Sequence, residues 1–236
     1  MSIVVLNSGG FDSVCLMHYV RSENKEDKLY SLYFSYEQLN DEISEQCSKR
    51  AAEETDAEFV KICLPKFSWT KNNFYNKGYI DSKSQYVEMR NLVFLSYALS
   101  FAESVGAEEI QMAILESVEG VNYTDVSPIF LKRFSILSQY ACCCKVTTPF
   151  IEMLKSELYL WALKFGLIDK ENTNRNPLYF SCDTPNILSS NSKNEYYPCG
   201  FCEDCEELDT SIKEVKQALL KKKNQITTQT IQKFFI

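Results

Sequence analysis

The six residues Ser8-Gly9-Gly10-Phe11-Asp12-Ser13 constrain this chain more than any other stretch, because of what flanks them. Residues 3–6 are a short, wholly apolar run containing β-branched side chains, the pattern of a strand buried on both faces of a parallel sheet. From Asp12 to about Arg21 the pattern is helical. Two glycines between a buried strand and a helix let the backbone turn sharply and approach a ligand closely, and the first helical N–H groups point outward without intrahelical partners. Such a turn is an anion site suited to phosphate or pyrophosphate, with the Ser8 and Ser13 hydroxyls as further donors. The plainer reading is a strand-to-helix turn with Asp12 and Ser13 near the N-cap. A bare Gly-Gly would fit that reading; the full string in this context favours the anion loop. It is not a Walker A loop, since no Gly-Lys-Ser/Thr follows, and it is not GxGxxG.

Strands are further expected at 29–34, 58–64, 109–114 and 146–148, and helices at 41–54, 90–105, 127–138 and 154–165. Gly106 and Gly166 stand where helix C-caps want glycine. Alternating strands and helices imply an α/β fold, a parallel sheet with helices on both faces. Residues 65–86 are rich in aromatics and lack a period. After about Asn172 apolar periodicity fades, turn residues dominate and cysteines cluster. Two parts are therefore expected: an α/β domain over 1–175 and a small zinc-binding C-terminal lobe over 176–236.

That lobe contains Cys182 and the knuckle Cys199-Gly200-Phe201-Cys202-Glu203-Asp204-Cys205. Three cysteines at CxxCxxC spacing can converge on one metal, and Cys182 can supply a fourth thiolate. Four thiolates in a loop-rich lobe suit tetrahedral, structural Zn²⁺, with an iron–sulfur cluster as the rival. Cys142-Cys143-Cys144 cannot all face one metal and read as small hydrophobes near the sheet. The single histidine, His18, lies within the first helix, so a Ser-His-Asp or zinc-hydrolase mechanism is not expected.

The net charge of -7 disfavours a nucleic-acid partner, and the densest basic run, Lys221 to Lys223, reads as a solvated helix face or tail. The most apolar later stretch, 92–102, is interrupted by Ser96 and Ser100 and is too short to span a bilayer. No export signal precedes the first strand, so a cytoplasmic location is expected. There the ten cysteines would be thiols or metal ligands.

Ser8 to Ser13 resembles the SGGxDS loop of the N-type ATP pyrophosphatases, and the rest of the chain resembles one branch of them, the 7-cyano-7-deazaguanine synthases or QueC family. Phe34-Ser35-Tyr36-Glu37-Gln38-Leu39-Asn40 is similar to that family's F-D-Y-G-Q-R-H, and Arg90-Asn91-Leu92-Val93-Phe94-Leu95-Ser96 to its R-N-L-L-F-L-S. Tyr123-Thr124-Asp125 stands where the family has Y-P-D. Thr148-Pro149-Phe150 followed by Lys155-Ser156-Glu157 resembles T-P-L and T-K-A-E, and Ser181-Cys182 with the knuckle resembles the terminal zinc site.

The resemblance implies an adenine nucleotide alpha-hydrolase-like, Rossmann-like fold and an ATP-dependent carbon–nitrogen ligase that adenylates a deazaguanine carboxylate. Ammonia then gives an amide and, after a second ATP-dependent step, a nitrile. ATP would lie on Ser8, Gly9, Gly10, Phe11, Asp12 and Ser13, with Mg²⁺ bridging phosphate oxygens. Arg90 would pair with phosphate or carboxylate, Asp125 would contact the incoming amine, and Lys155 would hold the leaving pyrophosphate. The substrate side would be Tyr36, Glu37, Gln38, Arg90 and Asn91. As plainer readings, Arg90, Asp125 and Lys155 are surface or capping residues.

Departures from the pattern cluster on that side: Ser35, Glu37, Leu39 and Asn40 replace Asp, Gly, Arg and His; Glu88-Met89 replaces P-G; Val126-Ser127-Pro128 replaces C-R-P. They leave open an altered acceptor, in particular a partner-protein amine, since QueC-like proteins also occur in antiphage (CBASS-type) defence systems. A non-catalytic nucleotide-binding module is the reading from another class, and a homodimer is left open.

Overall fold

The computed structural model describes residues 1–70, 87–115, 123–168, 177–190 and 193–224. The expected aromatic-rich stretch beyond Thr70 and the expected boundary at 175/176 fall outside the described residues. Five strands, β1 (Ser2–Leu6), β2 (Lys28–Ser35), β3 (Glu58–Cys63), β4 (Glu109–Met112) and β5 (Lys145–Thr147), form one sheet in the order β3-β2-β1-β4-β5. Every pairing in it is parallel, as the alternation of elements implies.

Alternate side chains of the strands enter two separate cores. Val4, Leu32 and Ile110 pack with Leu95, Ala98 and Ala102 of α3 (Arg90–Val105) and Leu131 and Phe134 of α4 (Pro128–Cys142). On the opposite face Ile3 and Val5 pack with Val14, Leu16 and Met17 of α1 (Phe11–Glu23) and Leu158 and Ala162 of α5 (Lys155–Lys164). The sheet thus carries helices on both faces, and β1 is apolar throughout because both of its faces are covered. α2 (Asp41–Glu54) packs against β2, β3 and α1. Gly106 ends α3 in the left-handed region at φ +66°, and Gly166 follows α5 at φ +73°.

The C-terminal segment holds more regular structure than its turn-rich composition suggests. β6 (Asn186–Ser190) and β7 (Lys193–Tyr197) form an antiparallel hairpin, and α6 (Glu203–Asn224) packs along α5. The hairpin is tied to α2 where the Tyr196 hydroxyl and Asn194 Nδ2 both donate to Glu42. No described helix is long and apolar enough to cross a membrane.

Candidate functional site

Ligands of open parallel sheets bind beyond the carboxyl ends of the strands, where the strand order reverses. Here β1 lies between β2 and β4, and a cavity of about 310 Å³ opens past their ends, lined in part by Leu6, Leu32, Phe34 and Met112. The Ser8–Ser13 loop forms one wall, with Ser8, Gly10, Phe11, Asp12 and Ser13 among the lining residues.

The buried Asn7 side chain fixes the loop. Its Nδ2 donates to Ser31 Oγ (3.0 Å) and to the Ser48 carbonyl (3.2 Å), while its Oδ1 accepts the Gly9 N–H (3.0 Å). Gly9 has φ +77°, and a Cβ there would lie 2.2 Å from the Ser44 carbonyl oxygen, so only glycine fits. Gly10 starts α1 without a side-chain cap. Ser8 and Ser13 hydroxyls lie 3.1 Å apart, and Ser13 donates to the Gly10 carbonyl. The Phe11 ring is buried against Tyr159 and Tyr179 and belongs to the core.

The C-terminal segment completes this wall. Phe180 N–H donates to the Gly9 carbonyl (2.9 Å), and Ser181 Oγ accepts the Phe11 N–H (2.9 Å). Neither contact was legible in the sequence, because 169 or more residues separate the partners.

Lys155, at the start of α5, is 7% exposed and reaches Asp12 Oδ2 at 2.6 Å and Glu207 Oε2 at 3.2 Å. Burial acts to lower its pKa; Asp12 and Glu207 outweigh that and hold it above the usual lysine value. Asp12 Oδ1 is buried and makes no hydrogen bond to the described residues.

Across the cavity stand Tyr36, Gln38, Arg90 and Asn91. Gln38 is spent on the loop that carries Tyr36: its Oε1 accepts the Tyr36 N–H, and its Nε2 donates to Tyr33 Oη and the Phe34 carbonyl. Arg90 donates to Tyr36 Oη at 3.2 Å. Burial works against its charge, but Tyr36 and Asp183 outweigh burial and raise its pKa. Glu37, by contrast, is exposed, has φ +63° and does not line the cavity; neither does Leu39. Asn40 does line the cavity, and its Nδ2 donates to the Cys182 carbonyl (3.1 Å) of the C-terminal segment.

Asp125 is 1% exposed and lies behind the wall: its Oδ2 accepts the backbone N–H of Asn91 (2.8 Å) at the first turn of α3. Asp183 and Asp204, each next to a cysteine of the cluster, also line the cavity; burial raises the pKa of both, and the nearby Asp183 raises that of Asp204 further. Neither was singled out in the sequence, although each stands directly beside a cysteine of the expected metal site, Asp183 after Cys182 and Asp204 before Cys205.

Cys182, Cys199, Cys202 and Cys205 bring their sulfurs within 4.8 Å of one another. Tetrahedral thiolates around a metal at about 2.3 Å stand about 3.8 Å apart, so the set fits one ion. Cys182 and Cys202 are buried, and the Cys199 and Cys202 N–H groups donate to the sulfurs of Cys182 and Cys199. Cys142, Cys143 and Cys144 take no part; Cys144 is buried, and Cys143 caps α4 at φ +59°.

Comparison with known proteins gives the family. The model of a family described as queuosine biosynthesis protein QueC matches residues 2–216. The 7-cyano-7-deazaguanine synthase of Rickettsia canadensis is 30% identical over 222 residues, covering 86% of this chain and 90% of its own. That of Prochlorococcus marinus (strain MIT 9312) is 29% identical, covering 90% and 93%. Among solved structures, the U34-tRNA thiolase NcsA from Methanococcus maripaludis with its [4Fe-4S] cluster aligns at TM-score 0.49 and 13% identity, over 96% of this chain and 67% of its own. Matched by the family model over nearly its whole length and 30% identical to a relative that it covers almost end to end, this chain belongs to the QueC family.

Proposed function

We propose that this chain is a 7-cyano-7-deazaguanine synthase, which converts 7-carboxy-7-deazaguanine and ammonia into the nitrile at the expense of ATP. The observation that carries the reading is a single cavity with the glycine loop on one wall and Arg90, Asn91 and Tyr36 on the other. A carboxylate is a poor acyl donor. Its oxygen attacks the α-phosphorus of ATP held on Ser8–Ser13, pyrophosphate leaves, and the mixed anhydride gains a good leaving group. Ammonia then attacks the carbonyl carbon, and AMP departs to leave the amide; a second activation removes the amide oxygen.

Lys155, paired with Asp12, would follow charge from that carboxylate onto the departing pyrophosphate. Arg90, held cationic, pairs with the substrate carboxylate or the α-phosphate. Asp12, with a buried oxygen lacking a partner, is the carboxylate that would hold Mg²⁺, which supplies charge neutralisation when it arrives with ATP. The four cysteines would hold Zn²⁺, which cross-links the C-terminal lobe, taken as 176–236 against an α/β domain of 1–175. Asp125 serves as an orienter, through the first turn of α3, rather than as a base in the cavity. Of the departures that left a protein amine open, Asn40 and Val126 line the cavity, but the two that would alter its charge, Glu37 and Leu39, do not, so free ammonia is the acceptor preferred.

Mass spectrometry of incubations with ATP, 7-carboxy-7-deazaguanine and ammonia tests this. AMP, pyrophosphate and the nitrile are expected; ADP with no change in the acid's mass would overturn it.

A further inference from the structure

We infer that Ser181 is a phosphate-binding residue, supplied to the glycine loop by the C-terminal segment and held in place through its neighbour Cys182. The inference rests on the reading of that loop as the ATP-phosphate site.

The first amide groups of a helix are the usual donors to a bound phosphate. In this chain Phe11 N–H, the first of them, is already taken: Ser181 Oγ accepts it at 2.9 Å. The hydroxyl that accepts this bond keeps its own hydrogen, and among the described residues that hydrogen has no acceptor. Ser181 lines the cavity, and its Oγ would lie only 3.6 Å from a Cβ on Gly10, next to Ser8 Oγ at 3.3 Å from the same point. The space that Gly10 leaves clear is therefore bordered by two serine hydroxyls, one from each end of the chain. A hydroxyl polarised by accepting an N–H is a stronger donor to the next group. Ser181 thus passes the donor capacity of the helix terminus into the cavity, where an anionic oxygen would receive it.

The position of Ser181 is fixed on both sides. Phe180 N–H donates to the Gly9 carbonyl, and the Cys182 carbonyl accepts from Asn40 Nδ2. Cys182 Sγ belongs to the four-sulfur cluster. Metal occupancy and phosphate affinity are coupled by this one peptide.

The test is calorimetric titration of the full-length, metal-loaded protein with inorganic pyrophosphate, a non-hydrolysable ATP analogue and adenosine. Ser181→Ala should bind pyrophosphate and the analogue about tenfold or more weakly, as befits a lost hydrogen bond to a charged group. It should bind adenosine as the unaltered protein does and keep its metal. Ser181→Thr, which retains the hydroxyl, should stay within about threefold of wild type. Unchanged pyrophosphate affinity in Ser181→Ala, or a parallel loss for adenosine, would overturn the contact. If Ser181→Ala loses its metal or its fold, Ser181→Cys takes its place, and wild-type pyrophosphate affinity there overturns it equally. An unaltered protein that binds neither pyrophosphate nor the analogue refutes the phosphate reading of the loop, and the Ser181 contact with it.

Discussion

Adjacent glycines in the loop answer to different constraints. A side chain on Gly9 would strike the Ser44 carbonyl, a backbone atom that cannot step aside, at a φ of +77° that L residues resist. Gly9→Ala should therefore lose about 2–3 kcal/mol of stability, measured by urea unfolding. Gly10 has φ -75°, and its Cβ would meet only serine hydroxyls. Gly10→Val should keep its melting temperature within a few degrees and lose ATP-dependent turnover; a valine variant that stays active places the phosphate elsewhere. Lys155 sets a pH dependence. Asp12, Glu207 and Asp204 raise its pKa in the folded protein against the effect of burial. A folded value above the unfolded value near 10.4 means that its contribution is complete below about pH 10 and fades only as the pH climbs further. Lys155→Met should cost about 1–2 kcal/mol, less than for a fully buried pair because Asp12 and Glu207 are partly exposed. That difference should be equal at pH 7 and pH 9; a difference that shrinks between them would contradict the pairing. The glycines and Lys155 were legible in the sequence because a motif names them. Asn7 and Ser181 were not, since their roles arise from contacts across the fold.

At the scale of elements, the first turn of α3 forms the cavity wall opposite the glycine loop. Met89 precedes it in the left-handed region at φ +52°, so no side chain of its own caps the helix, and Asp125 caps Asn91 from a distant 3-10 turn (Thr124–Val126). Asp125→Ala should cost about 1 kcal/mol of stability. Because Arg90 and Asn91 lose their anchor, KM for the deazaguanine acid should rise more than kcat falls. Asp125→Asn, which still accepts the Asn91 N–H, should recover most of KM; an asparagine variant as impaired as alanine would point to a base in the cavity instead. Element positions were readable wherever periodicity was strong: α2 and α3 begin and end at the expected residues, and the strands shift by one or two. The C-terminal elements were not. β6 and β7 are polar because one hairpin packs on only a few groups of α2, and the acid-rich start of α6 carries its apolar residues too sparsely to read as a helix.

Over the whole molecule, the cysteine cluster holds together parts that the sheet does not. Chelation of the metal, or Cys202→Ser, should release the hairpin and the Phe180–Ser181 strap while leaving the parallel sheet folded. Circular dichroism should retain most of its signal while nucleotide affinity falls at least tenfold; full nucleotide affinity in the metal-free protein would separate the two sites.

The hydrogen bond from Phe180 to Gly9 has a further consequence for how the protein comes into being. A ribosome delivers the glycine loop first and its strap some 170 residues later. Until that late segment emerges, β1, β2 and α1 can assemble and Asn7 can hold the Gly9 N–H, but the Gly9 carbonyl and the Phe11 N–H lack their partners. Closing so long a loop is among the slowest steps available to a chain of this topology. A chain cut short before Ser181 therefore carries the glycine loop without the two contacts that close it, and the loop reaches its final form only when the late segment has been made.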